Sequence, residues 1–413
     1  MPSRVVLVRA SWTLVDQAVV SLGAFAANIV LARTLPQSEY GLFAMIFALL
    51  LMLQVFNTTL VFYPHTIRIS AAQVDRPGIV WTSMMLSVAL TLPLTAIAIT
   101  ALTVTGYWHL VPWVAFWFVA WQAQETLRRM LFSEFRHRSA VIGDAVSYLG
   151  QAIGVVLLLV DGSLTLPKVF AVMGATSAAA AAIQACQIRF RPHRLPDPSR
   201  LVVEYWRIGG WSLASSVITV LRINGLFWMI AVLAGASSVA QLQASLNVVN
   251  LVSPILVGLC NLIPAAVAQA AGNSVTSAWR ETKHYASFGF VPTAVYYAFV
   301  MAAPGIMLTL FYGASSEYAD AVTPLRILSA AFILSYACEM VISFMHGISA
   351  ARIALVVNLL GIIATFLLAI PLLLLCGWVG ACWALLAANA VRLGLTAHYL
   401  KGVISDGQAA RYA

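Results

Sequence analysis

"LARTLPQSEYGLFA", residues 31–44, places Arg33, Pro36, Ser38, Glu39 and Gly41 between two long apolar runs. Pro36, Ser38 and Gly41 favour a tight turn, and Glu39 lies where a carboxylate suits the start of a helix. The flanking runs, 11–33 and 40–62, are apolar on all faces. A polar turn between two runs of about twenty apolar residues is the pattern of consecutive helices that cross a bilayer.

The composition extends that reading to the whole chain. Of 413 residues, 62% are hydrophobic and 9% charged, where a soluble domain carries about 25% charged residues. An aqueous fold has no core large enough for so much apolar surface, so the solvent is lipid. The runs lack the two-residue alternation of a membrane barrel, which leaves helices that satisfy their own backbone hydrogen bonds. Twelve spans follow: 11–33, 40–62, 79–102, 108–131, 140–160, 165–188, 206–233, 244–270, 286–311, 324–347, 351–376 and 378–400. The spans use up nearly all of the chain, leaving no room for a soluble catalytic domain. Phosphate-binding loops, H-E-x-x-H and G-x-S-x-G are absent, and the five cysteines match no zinc spacing. The expectation is a protein that is not an enzyme and carries no metal or cofactor. Ala24-Phe25-Ala26 imitates a signal-cleavage site, but Asp16 and Gln17 would lie in the signal core, so an uncleaved first helix is expected.

Orientation follows from the basic residues. With the N-terminus inside, 19 of the 23 Lys and Arg fall in cytoplasmic segments, leaving Arg33, Lys168, Arg222 and Arg326 elsewhere. Both termini are then cytoplasmic. The net charge of +9 reads as a topology signal and calls for no nucleic acid. "YPHTIRISAAQVDRPG" (63–78) mixes apolar and basic residues, as a segment lying along the inner surface would.

The basic stretch "RFRPHRLPDPSR" (189–200) divides the chain into a six-helix half at 1–188, a linker at 189–205 and a second half at 206–413. A shift of 200 positions lays Ser38, Leu42 and Ala44 over Ser238, Leu242 and Ala244. Paired halves of this kind are a transporter design. "LARTLPQSEYGLFA", with "TLFYGASSEYADAVTPLRILSAAFIL" (309–334) and the last two spans from Gly347 to Val391, resembles the Wzx-type polysaccharide flippases. These belong to the multidrug/oligosaccharidyl-lipid/polysaccharide (MOP) exporter superfamily. The resemblance implies an all-α bundle with two halves around a central cavity, in the bacterial inner membrane. It further implies a polyprenyl-pyrophosphate-linked oligosaccharide as substrate, with membrane lipids, a polysaccharide polymerase and glycosyltransferases as partners.

An ionisable group inside an apolar span is a functional candidate, because inserting one costs roughly 2.5–3.5 kcal/mol. Arg222 is the most specific: its planar fork matches phosphate oxygens, though it would equally serve as the structural partner of a helix carboxylate. Asp16 and Glu339 either titrate during an ion-coupled cycle or pair with a cation. Glu125 and Asp144 lie beside Arg128 and Arg129 and read as salt-bridge residues. Amides fall in the first two helices of each half; Asn28, Asn57, Asn224, Asn247 and Asn250 are read as partners for sugar hydroxyls, against the alternative of helix–helix contacts. Pro254 and Pro264 interrupt span eight, whereas span two has no proline. Two other functions compete with the flippase. A cation-coupled drug antiporter of the same superfamily would want an acidic cavity. A membrane polymerase or ligase would want large outer loops, and the loops here are short.

Overall fold

The computed structural model describes residues 4–71, 76–188, 198–271 and 274–406. The middle of the expected linker, 189–197, lies outside them, as do residues 72–75 and Arg411. Every regular element among the described residues is helical. In chain order these are α1 (Arg4–Thr34), α2 (Gln37–Asn57), α3 (Tyr63–Ala71), α4 (Arg76–Val104), α5 (Val111–Ser133), α6 (His137–Asp144), α7 (Gly150–Val160) and α8 (Leu166–Gln187). They continue as α9 (Pro198–Ala234), α10 (Ala236–Val249), α11 (Ser253–Ala271), α12 (Val275–Ala302), α13 (Pro304–Tyr312), α14 (Val322–Gly347), α15 (Ala351–Cys376) and α16 (Trp378–Asp406).

Eleven helical stretches among the described residues are long and apolar enough to cross a membrane. Helix α5, the fourth of the twelve expected spans, is not among them: its 23 residues reach about 35 Å, but Glu125, Arg128 and Arg129 lower its hydropathy. The segment expected along the membrane surface differs from the reading, since α3 continues the second span without a turn. The span Gln37–Ile69 runs through α2, a π-helical turn at Thr58–Phe62 and α3.

Two units divide the chain, one of Met1–Leu35 and Ile46–Val220, the other of Pro36–Met45 and Leu221–Ala413. Helices α2 and α9 therefore each contribute to both. In unit 1, α5 packs on α8 and α4, and α1 packs on α6 and α7. A Cβ on Gly23 of α1 would collide with the Tyr148 backbone, which is how small residues let membrane helices approach. In unit 2, α16 packs on α14 and α15, and α11 packs on α12 and α14. There Ile263, Val267, Phe344, Met345 and Val357 form a buried core.

Among the described residues, two non-glycine residues have positive φ, Phe135 (59°) and Ser349 (63°), which stand 214 positions apart (135 to 349). Each ends a helix in the same way. Arg136 N–H bonds to Leu131 O at 2.9 Å, and Ala350 N–H bonds to Met345 O at 2.8 Å, the six-to-one closure of a Schellman motif. The same interval carries Glu125 to Glu339 and Asp144 to Asn358. At the other end of each half, α2 starts at Gln37 and α10 at Ala236, in keeping with the 200-residue shift read from the sequence.

Candidate functional site

Each unit holds a buried charged nest. In unit 1, Arg128 reaches down from α5 to three carboxylates. Its Nη2 lies 2.7 Å from Asp16 Oδ2, its Nε 2.6 Å from Asp144 Oδ2 and its Nη1 3.0 Å from Glu125 Oε2. Arg129 Nε holds the other Glu125 oxygen at 2.6 Å. Gln124 Nε2 donates to Asp144 Oδ1. Asp16 and Asp144 are 2% and 0% exposed, and Asp16 Oδ1 has no hydrogen-bond partner. Three carboxylates against two guanidinium groups leave a formal excess of one negative charge.

The nest in unit 2 has the opposite balance. Arg222 Nη1 and Arg392 Nη1 each donate to Asn389 Oδ1 at 3.1 Å. Arg392 Nη2 also donates to Glu339 Oε1 at 2.8 Å and Asn358 Oδ1 at 2.9 Å. Asn389 Nδ2 donates to Ala331 O. Helix α15 leaves room for this arginine at Gly361, where a Cβ would strike the Arg392 stem. Arg222 is 8% exposed and Arg392 is fully buried, while the Glu339 side chain keeps 26% of its surface. Two guanidinium groups share one amide oxygen and face one carboxylate, a formal excess of one positive charge.

These nests correct the topology count in two places. Arg128 and Arg392 were assigned to cytoplasmic segments, but both are helix residues that balance buried carboxylates. Glu125 and Asp144 are salt-bridge residues, as expected. The alternative that Arg222 pairs with a helix acid is not what the structure has, because Arg392 takes Glu339 and Arg128 takes Asp16.

The expected amides are not gathered around Arg222. Asn28 donates to Ala24 O of its own helix. Asn57 donates to Thr91 Oγ1 and Gln122 Oε1, tying α2 to α4 and α5. Asn247 donates to Tyr40 OH at 2.8 Å and accepts from Gln243. Asn224 is partly buried on α9, and exposed Asn250 begins the 3-10 turn Asn250–Val252. The amide that Arg222 meets is instead Asn389, and Asn358 serves Arg392. The presence of Glu339 was the available signal for Arg392, since a carboxylate deep in a span requires a cation.

No family model matches the chain, and no curated sequence does. Solved structures do. An inward-facing multidrug-resistance MATE transporter of the MOP superfamily superposes with a TM-score of 0.78 at 15% identity, over 96% of this chain and 99% of its own. A MOP transporter from Pyrococcus furiosus, described by a binding pocket of reverse polarity that suggests a different function, gives 0.68 at 14% identity over 97% and 96%. This is the MOP transporter fold. An outward-facing MATE transporter gives 0.66 at 14% identity, over 96% of both chains. The similarity runs the length of the chain. At such identities it establishes architecture, and the chemistry has to come from the nests.

Proposed function

We propose that this protein is a flippase that carries a lipid-pyrophosphate-linked oligosaccharide across the bacterial inner membrane by alternating access, for export of a surface polysaccharide. The observation that carries the reading is the positive excess around Arg222. A guanidinium buried without a carboxylate of its own is costly in a low-dielectric bundle, and an anion offsets that cost. One of the five Arg222 donors goes to Asn389, and the fork can take two oxygens of a pyrophosphate. On this reading the polymerase and glycosyltransferases act before and after the transport step, and both termini face the cytoplasm. The negative excess in unit 1 supports coupling to a cation, with Asp16 as the group that loses its charge when a proton or sodium ion arrives. Glu339, paired and partly exposed, is the second coupling candidate. That same negative excess favours the other reading, a cation-coupled antiporter for small molecules, with which the fold is equally compatible.

The test compares export with abundance in a flippase-deleted strain. Arg222→Ala is expected to accumulate normally, because Arg392 still holds Glu339 and Asn389, yet fail to restore polymer export. Arg222→Lys keeps the charge without the fork and is expected to export partially. Normal export from the alanine variant would remove the phosphate role. Asp16→Asn and Glu339→Gln separate the coupling ion. If both transport at the normal rate with unchanged gradient dependence, neither carboxylate couples.

A further inference from the structure

At one end of unit 1, where α3 meets the start of α9, a polar network and an apolar groove lie side by side. Ser83 Oγ is 2.7 Å from Tyr205 OH and 3.0 Å from His65 Nδ1, and His65 Nε2 is 2.9 Å from Ser133 Oγ. A Cβ on Gly209 would strike Thr59 O in the π-helical turn. These contacts fix the first turns of α9 against α3, α4 and α5. Beside them Leu60, Val61, Leu86, Leu90, Val202 and Trp206 line a groove of about 270 Å³.

The groove is open at the protein surface. Val202 and Trp206 are 57% and 59% exposed and precede the apolar span that begins at Ser212, the depth at which tryptophan marks a membrane interface. Its volume lies just below the roughly 300–1,000 Å³ of drug-sized sites, and it suits a single chain. Arg68 stands at its mouth, with Cζ 5.1 Å from the ring centroid of Tyr205, a residue that also lines the groove. The nearest carboxylate oxygen, Glu204 Oε1, is 3.4 Å from Arg68 Nε, and the buried Nη1 has no hydrogen-bond partner. Arg76 and Arg207, both exposed, lie on α4 and α9 toward the same end.

We propose that this groove binds one acyl chain of an anionic glycerophospholipid, with the phosphate held by Arg68. The chain fills the apolar walls and the phosphate pairs with the accessible part of the Arg68 side chain, 22% exposed. A zwitterionic lipid brings the same chain and phosphate but adds a cation, which Arg68 repels. The bound lipid braces the start of α9 against α3 and α4. Helix α9 passes from unit 1 to unit 2 at Val220–Leu221, so the lipid acts on a helix that both units share. The site does not depend on which substrate the protein moves.

Native mass spectrometry of the full-length protein in detergent, with phosphatidylglycerol and phosphatidylcholine at equal concentration, tests it. Phosphatidylglycerol adducts are expected to exceed phosphatidylcholine adducts by about fivefold for one basic contact. Arg68→Gln should bring the ratio near one. Val202→Trp, which fills the groove, should lower phosphatidylglycerol binding, while Val232→Trp, an exposed position in unit 2, should not. Gel filtration and melting establish that each variant is folded. An unchanged preference in Arg68→Gln, or unchanged phosphatidylglycerol binding in Val202→Trp, would overturn the proposal. So would displacement of phosphatidylglycerol by equimolar polyprenyl phosphate, which would make the occupant an isoprenoid.

Discussion

Arg392 holds Glu339, Asn358 and Asn389 at once without any solvent contact, so its removal strands three polar groups. A buried pair that loses one partner typically costs about 3–5 kcal/mol, far more than replacing both. Arg392→Leu is therefore expected to lower abundance and the melting temperature in detergent sharply. The double variant Arg392→Leu, Glu339→Gln should recover most of the loss, and a double variant as unstable as the single would show that Glu339 is not what Arg392 balances. The sequence exposed Asp16, Arg222 and Glu339 because a charge inside an apolar run stands out. It hid Arg128 and Arg392, because each lies near further basic residues at a helix end, where an arginine reads as a topology marker. The pairing of Asp16 with Arg128 links positions 112 residues apart, and local patterning carries no trace of so distant a contact. The amides failed for a related reason. An asparagine in a membrane helix satisfies itself wherever an acceptor is nearest, as Asn28 does with Ala24 O, so residue type alone does not direct it to a cavity.

Helices were legible as apolar runs, and the interruption of span eight was legible from Pro254, whereas Pro264, expected to interrupt it too, lies inside the continuous helix α11. That break is a 3-10 turn at Asn250–Val252, directly before Ser253 and Pro254 begin α11. Span two is interrupted as well, by a π-helical turn at Thr58–Phe62 just before Pro64, which has no N–H for the Leu60 carbonyl and crowds the preceding turn. Thr59 Oγ1 adds a back-bond to Val55 O at 2.7 Å, a contact that bends helices. The helix ends offer a quantitative check. Phe135 occupies left-handed backbone space at φ 59°, which costs an L-residue roughly 1–2 kcal/mol. Phe135→Gly is expected to raise the melting temperature, or to leave it unchanged if lost Phe135 ring contacts offset the relief; a fall would argue against strain there. Gly41→Ala should act the other way. A Cβ on Gly41 would overlap the carbonyl of Ala236, so the start of α2 must shift away from α10, at a cost of about 1–3 kcal/mol.

Across the whole molecule the two halves repeat their helix ends and their acidic position, Glu125 and Glu339, yet they differ in charge where Asp144 is matched by Asn358. The cations differ too: at the same interval Arg128 and Arg129 meet Ile342 and Ser343, and Arg392 meets Ala178, so the nests repeat one acidic position and reach opposite excess through different arginines, with Asp16 in unit 1 and Arg222 in unit 2. The repeat also fixes a topology that can be checked on described, exposed positions. Two odd-numbered turns carry Ser38 and Ser315, and two even-numbered turns carry Glu134 and Ser274. With basic residues inside, single cysteines at Ser38 and Ser315 are expected to react with an impermeant thiol reagent added to intact cells, in a background whose five native cysteines are replaced. Cysteines at Glu134 and Ser274 should react only after the membrane is opened. The even number of spans makes the outcome a strict parity test. Labelling of Glu134Cys or Ser274Cys from outside would mean either that the orientation is reversed, in which case all four positions exchange, or that α5 does not cross. The second case separates from the first because Ser38Cys would still label while the turns after α5 change side. The charges on α5 make it the span whose crossing most needs its partners: with Arg128 holding Asp16, Glu125 and Asp144, the polar face that disqualifies this helix by composition is turned into the protein and kept from lipid.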